Sequence, residues 1–182
     1  NQEPIEMSII ENTAQKYPTI VEKMCIASIL AGAKIMDVYS MDDLGVEIKG
    51  DDSPITLADR LADNVIEEIL KLNFSDIPIV SEESHCDLKS VMGEVYFLVD
   101  PLDGTKEFIK RTGEFTVNIA VILNAKAELG VVYVPVTGEL YYRDLDGLSY
   151  LEHNANTAEV RGERTQISCR TANMDNLSVV KS

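Results

Sequence analysis

At 182 residues with 45% apolar side chains, the chain can bury one real core and suits one domain, or one domain plus the start of another. Sixteen Lys and Arg against 31 Asp and Glu give a net charge of −15, which disfavours nucleic acid or an anionic membrane as partner but leaves a metal-mediated small anion open. Cys25, Cys86 and Cys169 are odd in number and lack metal-ligand spacing, so neither a disulfide framework, a disulfide-linked partner nor a zinc site is expected.

No basic and apolar leader opens the chain, and no run of about 18 apolar residues occurs. A soluble, unexported protein is therefore expected, cytoplasmic, with peripheral attachment at the inner membrane as the alternative. From Tyr17 to Tyr39, Ile20, Val21, Met24, Leu30, Ile35 and Val38 recur at roughly helical intervals and predict one long amphipathic helix. Pro18 fits its first turn, Gly32 is a local weak point, and Met24 and Cys25 read as core. A short strand, Val46 to Lys49, leads into the loop Gly50 to Pro54. A second helix follows, with Leu57, Leu61, Val65, Ile69 and Leu72 as its expected buried stripe and Arg60, Asp63, Glu67 and Lys71 on polar faces. Thr56 or Ser53 could cap it, and Asp59 in its first turn would then compensate the helix dipole.

Two acidic strand ends come next. Ile77 to Val80 is strand-like and is followed by Ser81-Glu82-Glu83-Ser84. Tyr96 to Val99 suits a strand buried on both faces and delivers Asp100, and Pro101, which lacks an N–H, should stop the ladder there. Asp103 follows within reach of the same cation, Gly104 permits close approach to the backbone, and Thr105 offers a hydroxyl and an N–H. Bare carboxylates converging from both strand ends would repel; a cation between them removes the conflict. Beyond these, Phe115–Leu123, Glu128–Val136, Leu140–Arg143 and Leu148–Glu152 read as an antiparallel meander, with Gln166 to Arg170 as a further strand. Asp144-Leu145-Asp146-Gly147 reads as a hairpin turn in that meander. The fold class is α+β, two long helices packed on an antiparallel sheet.

Glu82, Asp100, Asp103 and the Leu102 carbonyl are hard oxygen donors suited to magnesium or manganese, and phosphate is their natural guest. Haloacid-dehalogenase-type phosphatases carry one spacer between their aspartates where this chain has Pro101 and Leu102. An EF-hand loop fails too, with Leu102 at its third position.

The set SPITLAD (Ser53 to Asp59), VSEES (Val80 to Ser84), VDPLDGTKEF (Val99 to Phe108) and GEFTVNIA (Gly113 to Ala120) resembles the inositol monophosphatase superfamily, from the first long helix to about Arg170. The Lys106-Glu107 continuation and GEFTVNIA resemble its bacterial 3'(2'),5'-bisphosphate nucleotidases. That resemblance implies a magnesium-dependent, lithium-sensitive phosphatase of sulfur metabolism acting on 3'-phosphoadenosine 5'-phosphate, with an inositol or sugar monophosphatase as the alternative and a homodimer as a further option. It implies two or three magnesium ions, manganese substituting: Glu82, Asp100 and the Leu102 carbonyl on the first, Asp100 and Asp103 on the second, Glu82 and Asp59 flanking a third. Asp59 and Thr105 would activate the attacking water, while Gly104, Thr105, Asp103 and Glu82 would face the substrate phosphate. Glu83 would support the ligands and Ser84 would close the turn. The resemblance makes residues 1–172 an N-terminal α+β domain and 173–182 the start of a C-terminal α/β domain, the remainder of which supplies another aspartate ligand in the family. The chain ends at Ser182 and has no tryptophan, so an inactive metal-binding fragment is a third expectation.

Overall fold

The computed structural model describes residues 15–48, 50, 54–83, 95–157 and 162–169. Helix α1 spans Ile20–Tyr39, with Thr19 at its N-cap and Pro18 just ahead of the first turn rather than within it. Met24, Cys25 and Ile35 are wholly buried as expected, whereas Leu30 is 40% exposed and lies off the stripe. Gly32 is not a weak point but a contact: the Tyr133 ring lies so close that a Cβ here would stand 2.4 Å from Tyr133 Cε1. No basic residue occupies the last turn of α1. Arg111 supplies the missing donors from elsewhere, hydrogen-bonding the carbonyls of Tyr39 and Met41 and covering the Tyr39 ring.

Helix α2 spans Leu57–Asn73. Its buried stripe is Ala58, Ala62, Ile66 and Leu70, one residue on from the expected series. Leu61, Val65 and Ile69 are only partly buried, and Leu57 and Leu72 are exposed. Helix α2 packs directly on α1, and small side chains at 58 and 62 allow the two backbones to approach. The shift also turns Asp59 inward, where it is 2% exposed.

Strands β1 (Glu47–Ile48) and β2 (Pro54–Ile55) form a small antiparallel pair, so Pro54 belongs to a strand and not to the loop. The main sheet has seven strands in chain order: β3 (Ile79–Ser81), β4 (Tyr96–Asp103), β5 (Thr116–Leu123), β6 (Lys126–Val134), β7 (Glu139–Arg143), β8 (Ser149–Glu152) and β9 (Arg164–Ile167). The antiparallel meander and its Asp144 to Gly147 hairpin form, but β6 lies two residues earlier than the expected Glu128–Val136 and β9 starts two residues ahead of the expected Gln166. Asn124 and Ala125 both take positive φ, which suits the two-residue hairpin joining β5 to β6. One pairing departs from the expectation: β3 runs parallel to β4, which sets Ser81 beside Val99. The sheet is therefore mixed.

Both helices lie on one face, α1 across β5 to β7 and α2 over β3 and β4. Phe97, Val99, Ile119, Val131 and Leu140 point into that interface and are buried. Leu98 and Val132 point the other way and are 42% and 41% exposed, so β4 is not buried on both faces. The expected elements at 84 and 173–182, Cys86, Ser53 and Lys49 lie outside the described residues.

Gly32→Ala tests the helix–sheet contact. Helix propensity would gain about 1 kcal/mol, but overpacking a core costs about 1–3 kcal/mol, and Tyr133 is held at 3% exposure. A lower urea midpoint is expected. An unchanged or higher midpoint would mean that the ring yields freely.

Candidate active site

Asp59 belongs to two arrangements at once. Its Oδ2 accepts from the Thr56 N–H at 2.7 Å and from Thr56 Oγ1 at 2.6 Å, while Thr56 Oγ1 accepts from the Ala58 N–H at 3.1 Å. This is a capping box that fixes the start of α2. Its Oδ1 faces the opposite way and accepts from Thr105 Oγ1 at 3.2 Å, across 46 residues of sequence. Helix-dipole compensation thus describes only half of what Asp59 does.

Thr105 is placed by the end of β4. The ladder does not stop at Pro101: Asp100 pairs with Asn118, the register shifts, and pairing resumes at Asp103 with Thr116. A proline without an N–H is tolerated because it falls in that irregularity. Gly104 then takes φ +95°, and a Cβ there would sit 2.7 Å from the Glu114 carbonyl oxygen. Glycine is required by the turn itself. Helix α3, Thr105–Ile109, is too short to stand alone. Phe108 anchors it, packing 5.2 Å from both the Tyr39 and the Phe115 rings. Thr105 Oγ1 also lies 3.2 Å from the Leu102 carbonyl oxygen, so its one proton can serve either acceptor.

The Glu82 and Asp103 carboxylates lie near enough to Asp100 to act on its charge. Burial, then the Glu82 and Asp103 carboxylates, push the Asp100 carboxyl up from 3.8 to about 7. Asp100 Oδ1 is buried with no hydrogen-bond partner among the described residues. A buried acceptor left unpaired among other carboxylates suits a hard cation, and oxygen is the only donor type offered. Among the described residues no three His, Cys, Asp or Glu side chains gather closely enough to hold one ion; a centre here would draw on carboxylates in pairs with the Leu102 carbonyl. Glu82 and Asp100 are among the residues lining a groove of about 530 Å³, with Leu98 and Val132 of the helix-free face.

Two polar residues, Asn118 and Ser81, went unassigned in the sequence. Asn118 donates from Nδ2 to Asp103 Oδ2 at 3.1 Å and accepts from Thr116 Oγ1 at 3.1 Å. Ser81 donates to Asp63 Oδ1 at 2.5 Å, and the Glu83 N–H reaches Ser81 Oγ at 3.3 Å, so Ser81 shapes this turn. An asparagine in the middle of an apolar alternating strand was the available signal for the first. The Asp63–Ser81 bond joins elements 18 residues apart and had none.

Residues 6–181 match the model of the inositol monophosphatase family, past the Arg170 limit of the motif resemblance. The chain belongs to that family. It is 44% identical over 155 residues to the 3'(2'),5'-bisphosphate nucleotidase CysQ of Salmonella typhimurium, covering 84% of this chain and 60% of that protein. Its identity to the Shigella flexneri CysQ is 47% over 124 residues, 67% of this chain and 50% of the relative. The crystal structure of CysQ from Bacteroides thetaiotaomicron, described as a bacterial member of the same family, superposes with a TM-score of 0.70 at 37% identity, covering 85% of this chain and 59% of that one. The chain thus spans between half and three-fifths of the length of these inositol monophosphatase relatives. No helix among the described residues is long and apolar enough to cross a membrane.

Asp100 makes the metal-free protein sensitive to pH. The folded carboxyl keeps its proton to about pH 7 and an ordinary one loses it near 3.8. Its contribution to stability is therefore complete below the lower value and lost as pH rises through the upper one. With chelator present, the melting temperature should fall more steeply from about pH 4 to about pH 7 than in Asp100→Asn. Parallel curves would show that Asp100 does not carry this charge conflict.

Proposed function

We propose that the intact protein is a magnesium-dependent phosphomonoesterase that removes the 3'-phosphate of 3'-phosphoadenosine 5'-phosphate, yielding AMP and phosphate. The observation that carries this reading is the Asp59–Thr105 hydrogen bond at 3.2 Å on the same strand end that leaves Asp100 Oδ1 unpartnered. Glu82, Asp100 and the Leu102 carbonyl would hold one ion, Asp100 and Asp103 a second, and Glu82 with Asp59 would flank a third, manganese being able to substitute. Bound magnesium would neutralise phosphate charge and acidify the attacking water.

The protein's own groups would move the proton. Thr105 Oγ1 can accept a hydrogen from water while donating its own to Asp59 Oδ1, because Asp59 Oδ2 is already occupied by Thr56. Attack on phosphorus would then break the bond to the sugar oxygen, which leaves with a proton taken up from solvent, and no phosphoenzyme is needed. The backbone N–H groups of Gly104 and Thr105 would face the phosphate, beside Asp103 and Glu82.

Identity of 44–47% to proteins named CysQ nucleotidases favours the nucleotide over an inositol or sugar phosphate. The Lys106-Glu107-Phe108 signature supports this less directly, since Phe108 is wholly buried and would not touch a substrate. Magnesium-dependent phosphate release from 3'-phosphoadenosine 5'-phosphate should exceed that from inositol 1-phosphate; the reverse order would move the protein to the inositol phosphatases. Thr105→Ala should lower kcat ~100-fold or more with KM little changed. A kcat within a few-fold of the unaltered protein would remove Thr105 from the proton path.

A further inference from the structure

We propose that Asp63 is a positioning residue: by holding Ser81, it sets the place of the Glu82 carboxylate relative to Asp59. The inference rests on the reading of Glu82 and Asp59 as groups of a metal centre. Asp63 stands four residues after Asp59 on α2, hence on the same helix face and about 6 Å further along the axis. Its Oδ1 accepts from Ser81 Oγ at 2.5 Å, and Ser81 is the last residue of β3, 4% exposed and immediately before Glu82. One helix thus carries both Asp59 and the group that grips the strand bearing Glu82.

The grip is directional. A serine hydroxyl has one proton, and here Asp63 takes it, which turns the oxygen's lone pairs toward the Glu83 N–H at 3.3 Å. Glu82 lies between these two points. Its own N–H donates to the Val99 carbonyl at 3.0 Å, in continuation of the parallel β3–β4 pairing. The Glu82 backbone is therefore fixed to β4 on one side, through Val99 next to Asp100, and to α2 on the other, through Ser81 and Asp63. Burial pushes the Asp63 carboxyl up while the Ser81 hydrogen bond pulls it down, as expected of a half-buried acceptor retained for its partner.

Titration calorimetry of the intact protein with magnesium chloride, alongside thermal melting, tests this. Asp63→Ala should weaken magnesium binding about tenfold, whereas Asp63→Asn, which keeps an acceptor oxygen but not the charge, should stay within about twofold. Unchanged affinity in a folded Asp63→Ala protein, with or without a lower melting temperature, would reduce the bond to ordinary stabilisation and overturn the proposal. Equal weakening by Asp63→Asn would assign the effect to charge and overturn it as well. If Asp63→Ala does not fold, Ser81→Ala against Ser81→Thr reads the same bond from its donor: about tenfold loss against retention is expected, and equal affinities would overturn it. Absence of magnesium binding in the unaltered protein would overturn the metal reading itself, an outcome distinct from all of these.

Discussion

The divided carboxylate of Asp59 is the constraint from which the site takes its shape. One oxygen closes the first turn of α2 and the other meets the hydroxyl of Thr105. A carboxylate at 2% exposure is costly unless its acceptor capacity is used, and here three donors use it. The start of α2 and the start of α3 are thereby tied through a single side chain. Moving either helix would leave a buried oxygen unpaired, so the pair resists displacement better than either hydrogen bond alone implies.

The second constraint lies in β4. A regular strand through Asp100 to Asp103 would put these carboxylates on opposite faces, since three residues is an odd step in a period of two. The register shift around Pro101 changes that alternation, and Asp103 contributes to the charge felt by Asp100. Proline suits this segment because it lacks a donor at a place where the ladder is interrupted. Gly104 completes the change of direction with a left-handed φ, and the aromatic packing of Phe108 secures α3 against the core. Strand, bulge, turn and short helix form a single device for delivering polar groups to one strand end.

Much of this was legible because it is local. Thr56 three residues before Asp59 is a cap signal, and an apolar run ending in Asp100-Pro101-Leu102-Asp103-Gly104-Thr105 marks a strand that ends in a polar turn. The buried face of α2 was less legible. Large residues at 57, 61, 65, 69 and 72 dominate the periodicity, yet Ala58 and Ala62 face inward because proximity to α1 rewards small side chains there. Hydrophobic size and burial part company wherever two helices pack closely. The parallel β3–β4 pairing and the exposure of Leu98 are likewise set by which layer covers which face, a tertiary fact with no local signature.

Stability and chemistry make opposite demands at this strand end. The core asks for apolar side chains, and the helix side of the sheet is built that way around Phe97, Val99 and Ile119. On the same strands, Asp100 and Asn118 interrupt the apolar alternation, and Asp100 is held near carboxylates that raise its pKa to about 7. An isolated fold would gain by replacing Asp100 with an apolar residue of similar volume, because its buried Oδ1 has no hydrogen-bond partner among the described residues and its neighbours are carboxylates. Its presence is best explained by a group that binds the folded state and neutralises the charge. Such binding stabilises the fold by mass action, so the same cation that would serve the chemistry would also relieve the strain of keeping its ligands together.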